Sequence, residues 1–454
     1  MTHHLRGYRV EGSGFQIAGV DYKPRFATTP SSQAAWLYHP SPRATINVAA
    51  NQRGREPVKP IVHSKLVMAL FLTAASALAQ SPSPDLRQSA LAFEQQGNIA
   101  ESEQAWRAFL KTHSSDAEPY AHLGLLEARQ DHYSEAVPLY RKALALQPGM
   151  PGLRLNLALA LFKAGDLKAA IPEFTTLLKS APPSSPEAMR FTILLGMCHY
   201  GLGQFSEAAP YLKTAAAADP QNLPIRLALA HSYLWSKQYS RVLDVYHDIL
   251  ALDPDSAEAD MLAGEALDEM KDAPGAIDMF RKAAKAKPNE PNVHFGLGYL
   301  LLTEKQYPEA IKEFQAELAN DPSHAQSMLY IADADIQMNQ YADAPPLLEK
   351  AIKLDPSLGL AHLDLGILAA NDGRNDDALR EFLAAEKLIP NDVNVHWRLG
   401  RLYRAMGRKE DAKIELDKAS TITRSADQEL YKKISGGQAK PPDASTPSAV
   451  PTNK

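Results

Sequence analysis

Cysteine is nearly missing from this chain: Cys198 is the only one among 454 residues. A lone thiol cannot close an intramolecular disulfide, so no disulfide framework stabilises the fold. Positive charge is short in the main body. Residues 1–65 carry nine Lys/Arg against three Asp/Glu, which leaves 39 basic against 50 acidic residues beyond them, a net charge of −11. That balance argues against broad nucleic-acid binding, which needs a basic face. Catalytic motifs are missing too. There is no HExxH, no P-loop and no serine-elbow sequence. "GSGFQIAG" (Gly12 to Gly19) lacks the glycine spacing of a dinucleotide loop. "DADIQMNQ" and "DPDSAEAD" hold spaced acids without the glycine turn or closing Glu of a calcium loop. Cys198 reads as a small buried apolar residue rather than a nucleophile. No catalytic residue, cofactor or metal site is expected, and the chain is read as a non-enzyme.

What is present is an ordinary apolar share, 45%, in a chain too long for one compact core. "KLVMALFLTAASALAQ" (Lys65 to Gln80) has a positive flank, an apolar core and an Ala-x-Ala end at Ala77 and Ala79. It reads as a secretory signal spanning 61–79, and its apolar run is shorter than the ~20 residues that cross a bilayer. Residues 1–60 show no sustained periodicity and are read as a leader, either upstream of the true start near Lys65 or disordered. The alternative is a basic cytoplasmic tail before a short anchor. Both readings export the body, to the periplasm or the medium. No stable membrane span is expected once the signal is cut.

From Pro148 onward, helix-stopping prolines stand at 148, 182, 220, 254, 288, 322, 356 and 390. Every gap is 34 residues except 182 to 220, which holds four extra in "APPSSPEA" (Ala181 to Ala188). A fixed period of this size signals a stacked array. With units starting at 117, 151, 189, 223, 257, 291, 325, 359 and 393, three columns align. Position 8 is small throughout, as at Gly124, Ala158, Gly264, Gly298 and Gly366. Position 20 is Ala in every unit but one, where Val242 stands. Position 24 is large, as at Tyr140, Phe174, Phe280, Phe314 and Phe382. A weaker first unit near 83 places Ala90, Phe93, Gly97 and Trp106 in register.

Each unit predicts two antiparallel helices, A and B. They approach to ~8–10 Å only where facing side chains are small, which positions 8 and 20 supply. The proline at position 32 ends helix B. Asp255, Ser323 and Ser357 follow it and are placed to cap the next A helix. Prolines at position 22 (Pro138, Pro172, Pro210, Pro346) and 18 (Pro274, Pro308) are expected in the first turn of B, which sets its start near positions 18–19.

These columns resemble the tetratricopeptide (TPR) repeat. The resemblance covers 83–421, about ten repeats, and implies an all-α, right-handed α-solenoid with A helices lining a concave groove. Residues 422–434 are expected to form a partial C-terminal cap helix, and 435–454 a disordered tail. In this family positions 2, 5, 9, 12 and 13 of helix A face the groove. The matching residues include Phe162, Tyr200, His231 and Trp235, then Glu265, Asp268, Tyr299 and Asp333, then Asn371, Arg401 and Arg404. Of these, Phe162, Tyr200 and Trp235 are expected to be the best exposed. His294, His362 and His396, at position 4, are expected to be structural rather than metal ligands.

Two family subtypes do not fit. The Lys/Asn carboxylate clamp is absent at position 5 (Ala121, Leu155, Ile193, Leu227), and of an Asn ladder at position 6 only Asn156 remains. The resemblance therefore implies a scaffold that grips protein or peptide segments, in assembly or export at the cell envelope. The alternative is an accessory subunit of polysaccharide or lipid handling or export machinery. The sequence names neither the partner nor an oligomeric state.

Overall fold

The computed structural model describes residues 85–434, with side chains to 428. The expectations for the leader, the signal and the tail lie outside the described residues. The described residues form twenty helices and no strand, the all-α repeat solenoid expected. They fall into two compact units, 85–236 and 237–434.

The first unit holds α1 (Leu86–Gln96), α2 (Ile99–Leu110), α3 (Ala117–Arg129), α4 (Tyr133–Leu146), α5 (Leu153–Lys163), α6 (Leu167–Ser180), α7 (Pro186–Gly201), α8 (Phe205–Ala218) and α9 (Leu223–Trp235). The second holds α10 (Tyr239–Leu250), α11 (Ala257–Glu269), α12 (Ala273–Ala286), α13 (Val293–Thr303), α14 (Tyr307–Asn320), α15 (Ala325–Gln337), α16 (Ala344–Leu354), α17 (Gly359–Asn371), α18 (Asn375–Leu388), α19 (Val393–Ala405) and α20 (Lys409–Ile434). Odd-numbered helices are A and even-numbered are B. Within each unit a helix packs on the next in sequence, and neighbouring A helices from α11 to α19 also touch.

The column residues meet as their sizes demand. Ala136, Ala170, Ala276, Ala310 and Ala378 are wholly buried, as are Phe174 and Phe314. A Cβ added at Gly264 would lie 2.7 Å from Phe280, and one at Gly298 would lie 2.8 Å from Phe314. The bare glycine is what lets helix A close on the aromatic of its own B helix. One column is not visible in the spacing. Position 15, at the A–B turn, is left-handed in every repeat: Gly165, Gly203, Gly373 and Gly407, but also Asp131, Lys237, Lys271, Lys305 and Asn339. Only glycine adopts that region without cost.

Several local expectations are corrected. Most B helices begin at position 17, as at Tyr133, Leu167 and Phe205. Pro138, Pro172 and Pro210 therefore lie inside the helix, past the first turn. Each forfeits one intrahelical hydrogen bond that the repeat packing makes good. Pro274 and Pro308 do lie in the first turn of α12 and α14, and of the position-22 prolines only Pro346 does, because α16 starts later at Ala344. Ser323 and Ser357 do not cap. Each donates its backbone N–H and its hydroxyl to the aspartate two residues earlier, Asp321 or Asp355. Ser256, not Asp255, is the N-cap residue of α11. α15 is capped by His324, and α13 by Glu317 of the following B helix, which accepts from Asn292 N (3.0 Å) and Phe295 N (3.1 Å). Residues 422–434 continue α20 unbroken, because Arg424 stands where the eight preceding repeats have proline.

Candidate functional site

In the first unit the sequence-selected aromatics gather at the A–B turns. Tyr200, at the end of α7, meets the Phe205 ring edge-on at 5.7 Å and His231 at 6.3 Å. Trp235, at the end of α9, stacks on Phe205 at 6.2 Å. Phe162 stands apart, edge-on to buried Phe174 at 6.4 Å. All four chosen residues, Phe162, Tyr200, His231 and Trp235, are half-buried rather than open. Phe205, the first residue of α8, joins Tyr200 to Trp235, and Tyr200 in turn meets His231. Phe205 was not picked because it belongs to helix B; its place next to a left-handed glycine turn was the available signal.

In the second unit two acidic sets lie on the A helices. Burial, with the charges of Asp268 and Glu269 added, pushes the Glu265 carboxyl up to about 8. Asp268 is raised by burial, with Glu269 and Glu304 adding to it and Lys271 opposing. Tyr299 meets Tyr330 edge-on at 5.6 Å.

Beyond that pair is a cavity of about 270 Å³ between α15, α17 and the start of α19, lined by Asp333, Asp364, Asn394 and Arg398 with apolar walls. Asp333 accepts a 3.2 Å hydrogen bond from Gln337 and is raised by burial. Asp364 is 8% exposed. Burial and then the charge of Asp333 hold its carboxyl well above the usual carboxylate range, with Arg398 opposing. The Arg398 guanidinium is lowered by burial and by Arg401. Arg401 lies over the Trp397 ring at 4.7 Å, and Trp397 is 42% exposed. Asn371 and Arg404 are exposed at the ends of α17 and α19. The structure thus brings Asp333 to a shared cavity and sets Arg401 beside it, while Asn371 and Arg404 join no cluster of the described residues. Asp364 and Arg398 were missed as site residues, whereas Trp397 stands at a groove-facing position of helix A. The signal was there: an aspartate inside the apolar run "AHLDLGILAA" has no helical reason to be buried.

The position-4 histidines have structural partners. His294, His362 and His396 each bond a glutamate 19 residues on, Glu313 (2.6 Å), Glu381 (2.8 Å) and Glu415 (2.7 Å), and Arg154 makes the same pairing with Glu173. Glu386, His396 and Glu415 have ligand atoms within 4.8 Å of one another. Lys418 Nζ already donates to both glutamates at 2.8 Å, and His396 Nε2 faces the Pro390 carbonyl. Protein groups therefore use the donors a metal would need. Cys198 is wholly buried, which pushes its thiol up to about 12 and leaves it unreactive at neutral pH.

A family model described as tetratricopeptide repeat matches residues 87–151, 155–222, 272–325, 329–393 and 363–425, and a second of the same description matches 199–266 and 236–297. The chain belongs to the tetratricopeptide repeat family. Among solved structures, this TPR protein is similar to a tetratricopeptide repeat protein from Parabacteroides merdae ATCC 43184, at 18% identity over 59% of this chain and 97% of that one, with a TM-score of 0.43. MamA from Desulfovibrio magneticus RS-1 matches at 20% identity over 37% of this chain and 96% of that one, with a TM-score of 0.34. YrrB, described as a TPR protein with an unusual peptide-binding site, matches at 21% identity over 42% and 97%, with a TM-score of 0.33. No curated protein matches the chain. TPR repeats are in general non-catalytic interaction scaffolds, and no helix among the described residues is long and apolar enough to cross a membrane.

Proposed function

We propose that this TPR protein is a non-catalytic scaffold that holds protein or peptide segments against the inner faces of its A helices, and that it does so outside the cytoplasm in assembly or export at the cell envelope. The observation that carries the binding reading is the set of aromatic side chains that repeat stacking leaves half-open at the ends of A helices, Phe162, Tyr200 and Trp235. Large amphipathic rings on a rigid frame are the usual anchors of an interface. Each half-buried ring already packs against a neighbouring ring, so little rotamer entropy is lost on binding. Export is supported by the stretch ending at Ala77 and Ala79.

Two measurements test this. Purified full-length chain is offered solubilised envelope proteins and, separately, a glycan array. Capture of a discrete protein that Tyr200→Ala with Trp235→Ala abolishes is the expected result; retention of glycans alone favours a role in polysaccharide handling. For export, amino-terminal sequencing of the native protein should begin at Gln80. Native peptides from residues 1–60 would count against it.

A further inference from the structure

Asp364 is the most unusual side chain of the second unit. It sits on α17, buried, and accepts no hydrogen bond from any described residue. Burying a carboxylate without a donor costs several kcal/mol. Its neighbour across the cavity is a second carboxylate, Asp333, which raises the cost. Arg398 shares the cavity and acts on Asp364 through its charge, but no ion pair closes between them among the described residues. A structural ion pair would have closed at 2.7–2.9 Å. The fold instead sets an acid from α15, an acid from α17 and a guanidinium from α19 around one space of about 270 Å³. That space is below the ~300–1,000 Å³ of pockets for whole small molecules, which suits one inserted side chain.

The walls narrow the choice of occupant. Leu329, Leu363 and Ile367 share the lining with the acids, and apolar surface beside buried carboxyls fits an aliphatic stem whose cationic tip would draw them into the ionised form. We propose that this cavity takes the lysine or arginine side chain of a bound peptide segment, with Asp364 and Asp333 accepting from its cationic head and Arg398 taking a backbone carbonyl of the same segment. The idea rests on the peptide-binding reading above and adds its specificity. A desolvated acid pair gains most from a donor that arrives with the partner. The position of Arg398 on the α19 side also gives the segment a direction across the three A helices.

The test uses full-length chain and a random-peptide pool. The best binders are resynthesised with acetylated amino termini, and each lysine or arginine is replaced in turn by norleucine or citrulline. One basic position should then weaken binding at least tenfold when replaced, and less than twofold against Asp364→Asn. Asp333→Asn should give an intermediate loss. Thermal melting keeps the variants interpretable: Asp364→Asn keeps a polar group of the same shape that never has to ionise, and it should melt no lower than the wild type. Binders that tolerate every neutral replacement, or whose charge dependence survives Asp364→Asn, overturn the inference and leave the peptide-binding reading standing. Binding restricted to uncapped peptides also overturns it, because the cation would then be a chain terminus. A pool that yields no binder overturns the peptide-binding reading and this inference together.

Discussion

Glu265 and His294 show how one side chain ties stability to pH in opposite chemical senses but the same direction. The Glu265 carboxyl titrates at about 8 in the fold and about 4.3 in an unfolded chain. Its folded form therefore binds a proton that the unfolded form has lost, so stability falls as pH rises from about 4 to about 8. Glu265→Gln should remove that loss: melting curves should match the wild type near pH 4 and rise above it at pH 8–9. His294 is raised chiefly by its hydrogen bond to Glu313. The carboxylate can only accept, so the Nδ1 proton is on the imidazole. The pair's contribution is complete below about pH 6.5 and is lost as pH rises through the folded value. The stability gap between wild type and His294→Gln should be widest near pH 5.5 and shrink by pH 8–9. Both residues were visible in the sequence as helix-A positions. Their environments were not, because each depends on charges contributed by another turn or another helix.

At the level of the helix pair, the notch and the turn set the packing. Ala310 is wholly buried against α13, and its carbonyl lies 3.2 Å from where a Cβ at Gly298 would stand. Ala310→Leu should overpack this contact and cost about 1–3 kcal/mol in urea unfolding. The turn offers the reverse experiment. Lys271 holds φ +68°, a region that costs a non-glycine residue about 1–2 kcal/mol. Glycine loses somewhat more entropy on folding, so Lys271→Gly should stabilise by about 0.5–1 kcal/mol in the same assay. The periodic Gly, Ala and aromatic columns made the helix pairs legible before any coordinates. The exact start of helix B was not. Proline in the second turn of α4, α6 and α8 looks forbidden locally and is tolerated because inter-helix packing outweighs one lost hydrogen bond.

On the scale of the whole molecule, the substantial contacts among the described helices run between helices near in sequence. Such an array behaves as a chain of nearest-neighbour couplings rather than one cooperative block. Hydrogen exchange on Ala310→Leu should therefore accelerate in α13 to α15 and stay unchanged in α1 to α6; uniform acceleration would contradict this. What the sequence determined by itself is the repeat: its period, its helix pairs and the residues that must be small or large. Each of these follows from short-range sterics, which a 34-residue window contains. Only the tertiary structure decided which polar residues lose their water. Asp364 and Arg398 come from different repeats, and their shared cavity arises from helices stacking side by side. No local pattern encodes that, because desolvation depends on neighbours distant along the chain.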